Sequence, residues 1–378
     1  MTTHHVAQNQ LTLLRRGAMF FPQLLADIRQ AQHAVYLESY IFATDDTGRA
    51  VMAALLHAAR RGVMVRVLLD GFGSANFPAT WQADFAAAGV HFQWFRRATP
   101  LWLPRRHRLH RLHRKLVAID HDIAFIGGIN ILNDQPARHT QPRLDYAVRI
   151  QGKLAGEVRA TMRQLWQRVA WSDLRSPSRW HTPPSQPHRQ SPLALLLRDN
   201  LRHRRDIERA YLHAIAHAKQ EILLANAYFL PGRAFRRALK QAARRGVRVV
   251  LLLQGKVEYR LQHYATHALY DEWLREGIQI YEYQASYLHA KVAVVDNRWA
   301  TVGSSNIDPF SLLLAREANL VVQDAGFASE LHASLSRATQ YATRIYRRDQ
   351  PPFTTRCLAW CSYALVRMAM GLVGYGKF

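Results

Sequence analysis

Apolar and polar positions along this chain follow two periods, and the order of the periods is used twice. Gln10 to Leu14 alternates as a short strand does, and Ala18 to Gln30 spaces its apolar residues as a helix does. His33 to Phe42 is rich in β-branched and aromatic residues and predicts a strand with Glu38 inside it. Gly48 to Arg61 predicts a helix closed by Gly62, and Val63 to Leu69 a buried strand. Strand, helix, strand in this order predicts an α/β architecture with parallel pairings.

The same order returns in the second half. Asp206 to Lys219 predicts a helix, Glu221 to Phe229 a strand, Phe235 to Arg245 a helix stopped at Gly246, and Val247 to Leu253 a strand. Ala58-Ala59-Arg60-Arg61-Gly62-Val63 recurs unchanged as Ala242-Ala243-Arg244-Arg245-Gly246-Val247. A whole lobe is therefore duplicated, which differs from a short solenoid repeat. Between the copies, Ser172 to Pro192 is rich in Pro, Ser, Arg and His and reads as a surface linker. The expected organisation is a lobe over 1–171, a linker over 172–192, a second lobe over 193–350 and a tail over 351–378.

That tail is apolar from Cys357 to Tyr375 apart from Ser362, its glycines and Arg367. The run approaches the ~20 residues that cross a bilayer. A mid-segment arginine costs about 2.5–3.5 kcal/mol on insertion, so a helix lying in the interface is the favoured reading. A helix docked on the protein's own surface is the alternative.

The duplication also carries a motif. His113-Arg114-Lys115 runs through four apolar residues to Asp120, and Gly127-Gly128-Ile129-Asn130 follows. His289-Ala290-Lys291 runs likewise to Asp296, and Gly303-Ser304-Ser305-Asn306 follows. On a strand, His and Lys two apart share one face. One H-x-K is common by chance, whereas two with the same downstream spacing are not.

Charge changes the picture next. The 378 residues carry a formal charge of +24, which predicts an anionic partner such as a phosphate-bearing membrane or a nucleic acid. Basic residues cluster from Arg105 to Arg108 and again at Arg111 and Arg114, beside the first motif. Trp94, Phe95 and Trp102 nearby are candidates for interfacial insertion, with core packing as the alternative. The two cysteines, Cys357 and Cys361, form no disulfide framework, so a reducing compartment is the default. His263 and His267, four apart without a matching carboxylate pattern, read as helix-surface residues rather than metal ligands. The segment from Met1 to Gly17 lacks the apolar core of a signal peptide.

Two histidines near neutral pH can divide the work of nucleophile and general acid. Lys115 and Lys291 would neutralise phosphate oxygens, and Asn130 and Asn306 would donate to a non-bridging oxygen. Such a set suits phosphoryl transfer by in-line attack with neither metal nor cofactor. A nucleophilic imidazole needs a carboxylate on its other nitrogen. Candidates lie about thirty residues downstream in each lobe, at Asp145 and Glu317, each ahead of an apolar strand-like run. Asp120 and Asp296 complete the catalytic motif. At the end of a buried strand an aspartate most often receives turn or cap hydrogen bonds, so both are expected to support the site without carrying protons.

These paired motifs, over nearly the whole chain, resemble the phospholipase D superfamily. Within it, Glu38-Ser39-Tyr40-Ile41-Phe42, Asn226-Ala227-Tyr228-Phe229 and Gly303-Ser304-Ser305-Asn306-Ile307-Asp308-Pro309 resemble the bacterial cardiolipin synthases, in their short form without two N-terminal transmembrane helices. The resemblance implies two lobes of mixed sheet flanked by helices, related by a pseudo-twofold, with the site between them. It implies a phosphatidyl-histidine intermediate and, from phosphatidylglycerol, the products cardiolipin and glycerol. Transfer to free glycerol is the alternative. It also implies that Asp145 and Glu317 orient the histidines, and a peripheral or monotopic place on the cytoplasmic face of a bacterial inner membrane. Symmetry does not say which histidine attacks; His113 is favoured. A nuclease of the same superfamily is the main rival, against which the apolar tail argues. A non-catalytic binder is the second, against which the two intact motifs argue.

Overall fold

The computed structural model describes residues 1–97, 110–135, 141–172, 191–199, 203–347 and 352–372. The first lobe runs β1 (Thr3–Val6), β2 (Asn9–Arg15), α1 (Arg16–Gln30), β3 (Ala34–Ser39), α2 (Asp46–Arg60), β4 (Met64–Asp70), α3 (Ala79–Ala87), β5 (His91–Phe95), β6 (Lys115–Ile119), β7 (Ile123–Gly127), β8 (Tyr146–Gly152) and α4 (Lys153–Ser172). The second runs β9 (Leu193–Arg198), α5 (Asp206–His217), β10 (Glu221–Asn226), α6 (Arg233–Arg244), β11 (Arg248–Gln254), α7 (Arg260–His267), α8 (Tyr270–Arg275), β12 (Gln279–Tyr283), β13 (Lys291–Val295), β14 (Trp299–Gly303), α9 (Pro309–Leu313), β15 (Glu317–Val322), α10 (Ala325–Thr339), β16 (Ala342–Ile345) and α11 (Phe353–Leu372).

Each lobe builds an eight-stranded sheet, ordered β1-β2-β8-β7-β6-β3-β4-β5 and β16-β12-β11-β10-β13-β14-β15-β9. The run β3-β4-β5 is parallel and so is β10-β11-β12, because each step is made through a helix. The motif strands β6 and β13 lie antiparallel to β3 and β10. Every residue of β6 and β13 is buried, which accounts for their unbroken apolar runs.

The repeated six-residue string has a local cause. Gly62 and Gly246 have φ of 89° and 87°, a left-handed conformation that glycine adopts without a Cβ penalty. Val63 N donates to Ala58 O and Val247 N to Ala242 O, closing each helix in the same way. The second arginine of each copy reaches back to the preceding helix, Arg61 to Ala31 O and Arg245 to Ile215 O.

One apolar cluster joins the lobes. It holds Leu13, Tyr146 and Val148 from the first sheet and Val292, Val302, Leu320 and Phe327 from the second lobe. Burying each large apolar side chain is worth about 1.5–3 kcal/mol. Polar contacts cross the same seam, with Tyr146 Oη 2.9 Å from Ser334 Oγ and His4 Nε2 2.7 Å from Glu330.

Candidate active site

The motif histidines sit just ahead of β6 and β13, at the edge where the parallel strands of both sheets end. Backbone pairing there crosses between lobes. His113 N and Arg114 N both donate to Arg316 O, at 3.0 and 2.9 Å. In return His289 N donates to Leu144 O, and Leu144 N to Tyr287 O, both at 2.9 Å. Each histidine segment is thus stitched to the residues that precede the other lobe's acid.

The side chains follow. His113 Nδ1 lies 2.9 Å from Glu317 Oε1, and His289 Nδ1 lies 2.6 Å from Asp145 Oδ2. Both acids of the sequence reading are present, but each serves the histidine of the opposite lobe. With Nδ1 committed to a carboxylate, Nε2 is the nitrogen left for chemistry. A second bond anchors each acid: Tyr146 N donates to Asp145 Oδ1 at 2.8 Å, and Ser304 Oγ to Glu317 Oε2 at 2.5 Å. Close approach also explains the glycines of the small-residue pairs. A Cβ on Gly128 would lie 2.3 Å from Asp145 Oδ1, and one on Gly303 would lie 2.2 Å from Asn319 Oδ1.

The lysines face inward with the histidines. Lys115 Nζ donates to His113 O at 2.5 Å, and Lys291 Nζ donates to His289 O and lies 2.9 Å from His289 Nδ1. Burial drives the electrostatics, because losing water disfavours each charged form. It lowers the His113 imidazole, with Glu317 opposing. It carries His289 well below the usual range, with Lys291, Lys115 and His113 pushing the same way. Burial also brings Lys115 down to about 7 and Asp145 up to about 6. That His113, Lys115 and Lys291 all act on His289 places both motifs in one electrostatic unit.

Other residues of the motif lie elsewhere. Asp120 and Asp296 are at the far ends of β6 and β13 from the histidines, with φ of 50° and 52°. The Asp120 carboxylate accepts from the backbone N–H of Gln32, His33 and Ala34, and that of Asp296 from Lys219, Gln220 and Glu221. Both therefore brace the turns that start β3 and β10, and neither enters the cleft. Asn130 Oδ1 accepts from Ile41 N at 3.2 Å, which leaves its Nδ2 to donate, and its counterpart Asn306 is buried as well. Glu38 is taken up by Arg114, in a buried two-point pair at 2.5 and 2.9 Å. The register puts Ala225 and Ala290 at the equivalent places, so this pair belongs to one lobe alone.

The basic run from Arg105 to Arg108 and Trp102 lie outside the described residues. Trp94 and Phe95 pack inward, Trp94 edge-on to Phe92 at 5.0 Å and Phe95 buried, so core packing holds for them and interfacial insertion does not. His263 and His267 lie on α7 with rings 4.1 Å apart, and burial brings His263 down to about 4. Among the described residues no group of three His, Cys, Asp or Glu side chains could hold a metal.

Three further residues shape the site beside the sequence-predicted ones. Asp70 Oδ2 accepts from Leu112 N at 2.8 Å, and Gln254 Oε1 accepts from Leu288 N at 3.0 Å. They end the equivalent strands β4 and β11 and hold the residue ahead of each histidine, but as different residue types they left no repeat to find. Tyr40 packs edge-on to His113, with ring centroids 5.0 Å apart, and lies under Lys115 Nζ at 5.3 Å. Its counterpart is Ala227.

Comparison with known proteins agrees with the duplicated fold. The family described as "Cardiolipin synthase, PLD-like domain" matches residues 24–166 and 211–339, one segment per lobe. Cardiolipin synthase B of Escherichia coli K12 is 39% identical over 340 residues, covering 87% of this chain and 80% of that one. Cardiolipin synthase B of Salmonella typhi is 40% identical over 339 residues, covering 86% and 79%. Among solved structures, phosphatidylserine synthase of Haemophilus influenzae shares the fold with a TM-score of 0.68 at 13% identity, covering 100% of this chain and 97% of its own. The chain belongs to the phospholipase D-like cardiolipin synthase family.

Proposed function

We propose that this enzyme forms cardiolipin by transferring a phosphatidyl group from one phosphatidylglycerol to another. The observation that carries the reading is the crossed pair of His–carboxylate dyads, which commits both Nδ1 atoms and leaves two Nε2 atoms to act on one phosphorus. His113 Nε2 attacks the phosphodiester, a P–N bond forms and the P–O bond to the headgroup glycerol breaks. His289 gives its Nε2 proton to the departing oxygen. A hydroxyl of the second phosphatidylglycerol then attacks phosphorus, its proton passes to His289, and His113 is released. Two phosphatidylglycerols give one cardiolipin and one glycerol.

Both imidazoles are held neutral by burial, which suits attack by the first. Bound phosphate supplies the negative charge that favours protonation of the second. Lys115 and Lys291 neutralise the phosphate oxygens, and the Asn130 and Asn306 amides donate hydrogen bonds to them. Asp145 and Glu317 fix the tautomers and stabilise imidazolium as it forms.

Peripheral attachment to the cytoplasmic face of a bacterial inner membrane fits α11. The helix buries Ala359, Ser362, Val366 and Met370 against the second lobe and packs along α7. Phe353, Leu358, Trp360, Leu365 and Met368 stay exposed, as do both cysteines. The buried face fits the docked reading of the tail, and the exposed apolar face supports the interfacial one. No described helix is long and apolar enough to cross a membrane.

The test is mass spectrometry of lipid products from phosphatidylglycerol vesicles, with and without free glycerol. His113→Ala and His289→Ala are each expected to abolish cardiolipin formation. Full activity in either variant, or plasmid nicking by the wild type that is lost in His113→Ala, rejects the proposal.

A further inference from the structure

The loops after β4 and β11 are equivalent under the duplication, since Asp70 and Gln254 close the two strands and hold the two histidine segments. Both loops turn large apolar side chains to solvent. Phe72 is 59% exposed after β4, while Val257 and Tyr259 are 48% and 57% exposed after β11, and Leu261 is 41% exposed in the first turn of α7.

Contacts place Phe72 and Tyr259 on the two banks of the cleft, and Val257 and Leu261 flank Tyr259 in the chain. The guanidinium of Arg111, two residues before His113, lies 4.8 Å from the centre of the Phe72 ring. On the other bank Tyr259 packs edge-on to Tyr228, at 5.6 Å, and acts on the ionisation of Tyr40, the residue that touches His113. One bank comes from each lobe. Among the described residues nine of the twelve exposed large hydrophobics lie on these two loops, in the first turn of α7 or on α11, which packs along α7. That concentration departs from the scatter expected of an ordinary surface.

Cations accompany the apolar groups. Arg111 stands at Phe72, and Arg143, two residues before Asp145, lies 5.7 Å from the Tyr287 ring and acts on the ionisation of Tyr259. Apolar tips with arginines behind them match the layering of a bilayer surface, where acyl chains begin beneath anionic phosphates.

We propose that the mouth of the cleft is itself a membrane-docking surface. Phe72 on one bank and Val257, Tyr259 and Leu261 on the other enter the interface of an anionic phospholipid bilayer, while Arg111 and Arg143 meet headgroup phosphates. The choice of partner rests on the phosphatidylglycerol reading above. In this pose the scissile phosphodiester is met at headgroup depth, and donor and acceptor both arrive by lateral diffusion without leaving the bilayer.

The experiment uses the full chain with Cys357→Ser and Cys361→Ser, labelled with an environment-sensitive fluorophore at Val257→Cys or, as the control, at Asn297→Cys at the opposite end of β13. On vesicles of phosphatidylglycerol and phosphatidylethanolamine, the label at 257 is expected to shift to the blue and brighten several-fold, with no change at 297. Equal responses at both positions, or none at 257, overturn the proposal. A Phe72→Ser, Val257→Ser, Leu261→Ser variant is expected to lose at least tenfold in turnover of vesicle phosphatidylglycerol. It should stay within twofold of wild type on a short-chain phosphatidylglycerol dissolved as monomers. Loss on both substrates also overturns it, and so does a dimer that this variant dissociates, since a second copy would then cover the rim. Insertion at 257 without any conversion of phosphatidylglycerol supports docking and rejects the proposed reaction instead.

Discussion

Each imidazole keeps one nitrogen on a carboxylate from the other half of the chain, and the buried neighbours of that pair set the pH range of the site. Asp145 is raised to about 6, so it gains a proton as pH falls through that value and loses its hold on His289. Lys115 is lowered to about 7, so it sheds its proton as pH rises through that value and no longer neutralises phosphate. The free enzyme should therefore show a bell-shaped kcat/KM on short-chain phosphatidylglycerol, falling below about 6 and above about 7. Asp145→Asn should flatten the acid limb and cost about 10⁴-fold in rate, the loss seen when a histidine's orienting aspartate becomes an amide. Lys115→Arg should remove the alkaline limb, because a guanidinium stays charged to about pH 12. An alkaline limb unmoved in Lys115→Arg would assign it to another group. The sequence identified the histidines and lysines because the duplication kept their types, and the acids because it kept a carboxylate, as Asp145 in one lobe and Glu317 in the other. It could not show which acid meets which histidine, because two equivalent lobes allow either pairing. Asp70 and Gln254 stayed hidden for the complementary reason: they do one job with two side chains.

Among the elements, the turn that follows β7 is tightly constrained, because the Asp145 carboxylate fills the space where a side chain would begin. Gly128→Ala would push a Cβ to 2.3 Å from Asp145 Oδ1, so the carboxylate or the turn has to move. Overpacking of this kind costs about 1–3 kcal/mol, and displacing an orienting acid costs far more in rate than in stability. The expected outcome is a Tm lowered by a few degrees with turnover reduced at least a hundredfold. Gly156→Ala on α4 is the control, since its Cβ would meet only His121 O at 4.0 Å. It should leave turnover unchanged and stabilise the fold by about 0.5–1 kcal/mol. Equal losses in the two variants would rule out close approach to Asp145 as the reason for Gly128. Strands and helices of the parallel runs were legible because each has one period and a strong stop, such as Gly62 or Gly246. The place of α11 was not: its composition shows two faces, but only tertiary packing shows that Val366 and Met370 dock while Trp360 and Met368 do not.

Over the whole molecule, the crossed dyads make the lobes interdependent for activity, and the shared apolar cluster makes them interdependent for stability. The duplication announced two lobes, but symmetry in sequence is silent on how the copies face each other. In the fold, Asp145 just ahead of β8 and Glu317 at the start of β15 each serve the histidine of the partner lobe, and Tyr146, Val148, Leu320 and Phe327 belong to one continuous core. Cutting the chain between the lobes should therefore change little. With a protease site placed in 172–192 and cleaved, the two pieces should elute together from a sizing column and retain cardiolipin formation within about twofold. A piece ending at 171 and made alone should be inactive, because His113 then lacks Glu317 and the second histidine is missing. Mixing it with a separately made second piece should restore activity if both fold before they meet. Separation of the nicked halves in native buffer would mean that the linker, and not the buried seam, keeps the two imidazoles together. The order of events matters as well: a single calorimetric transition for both the intact and the nicked protein is expected, because neither sheet keeps its inner face covered once the other unfolds.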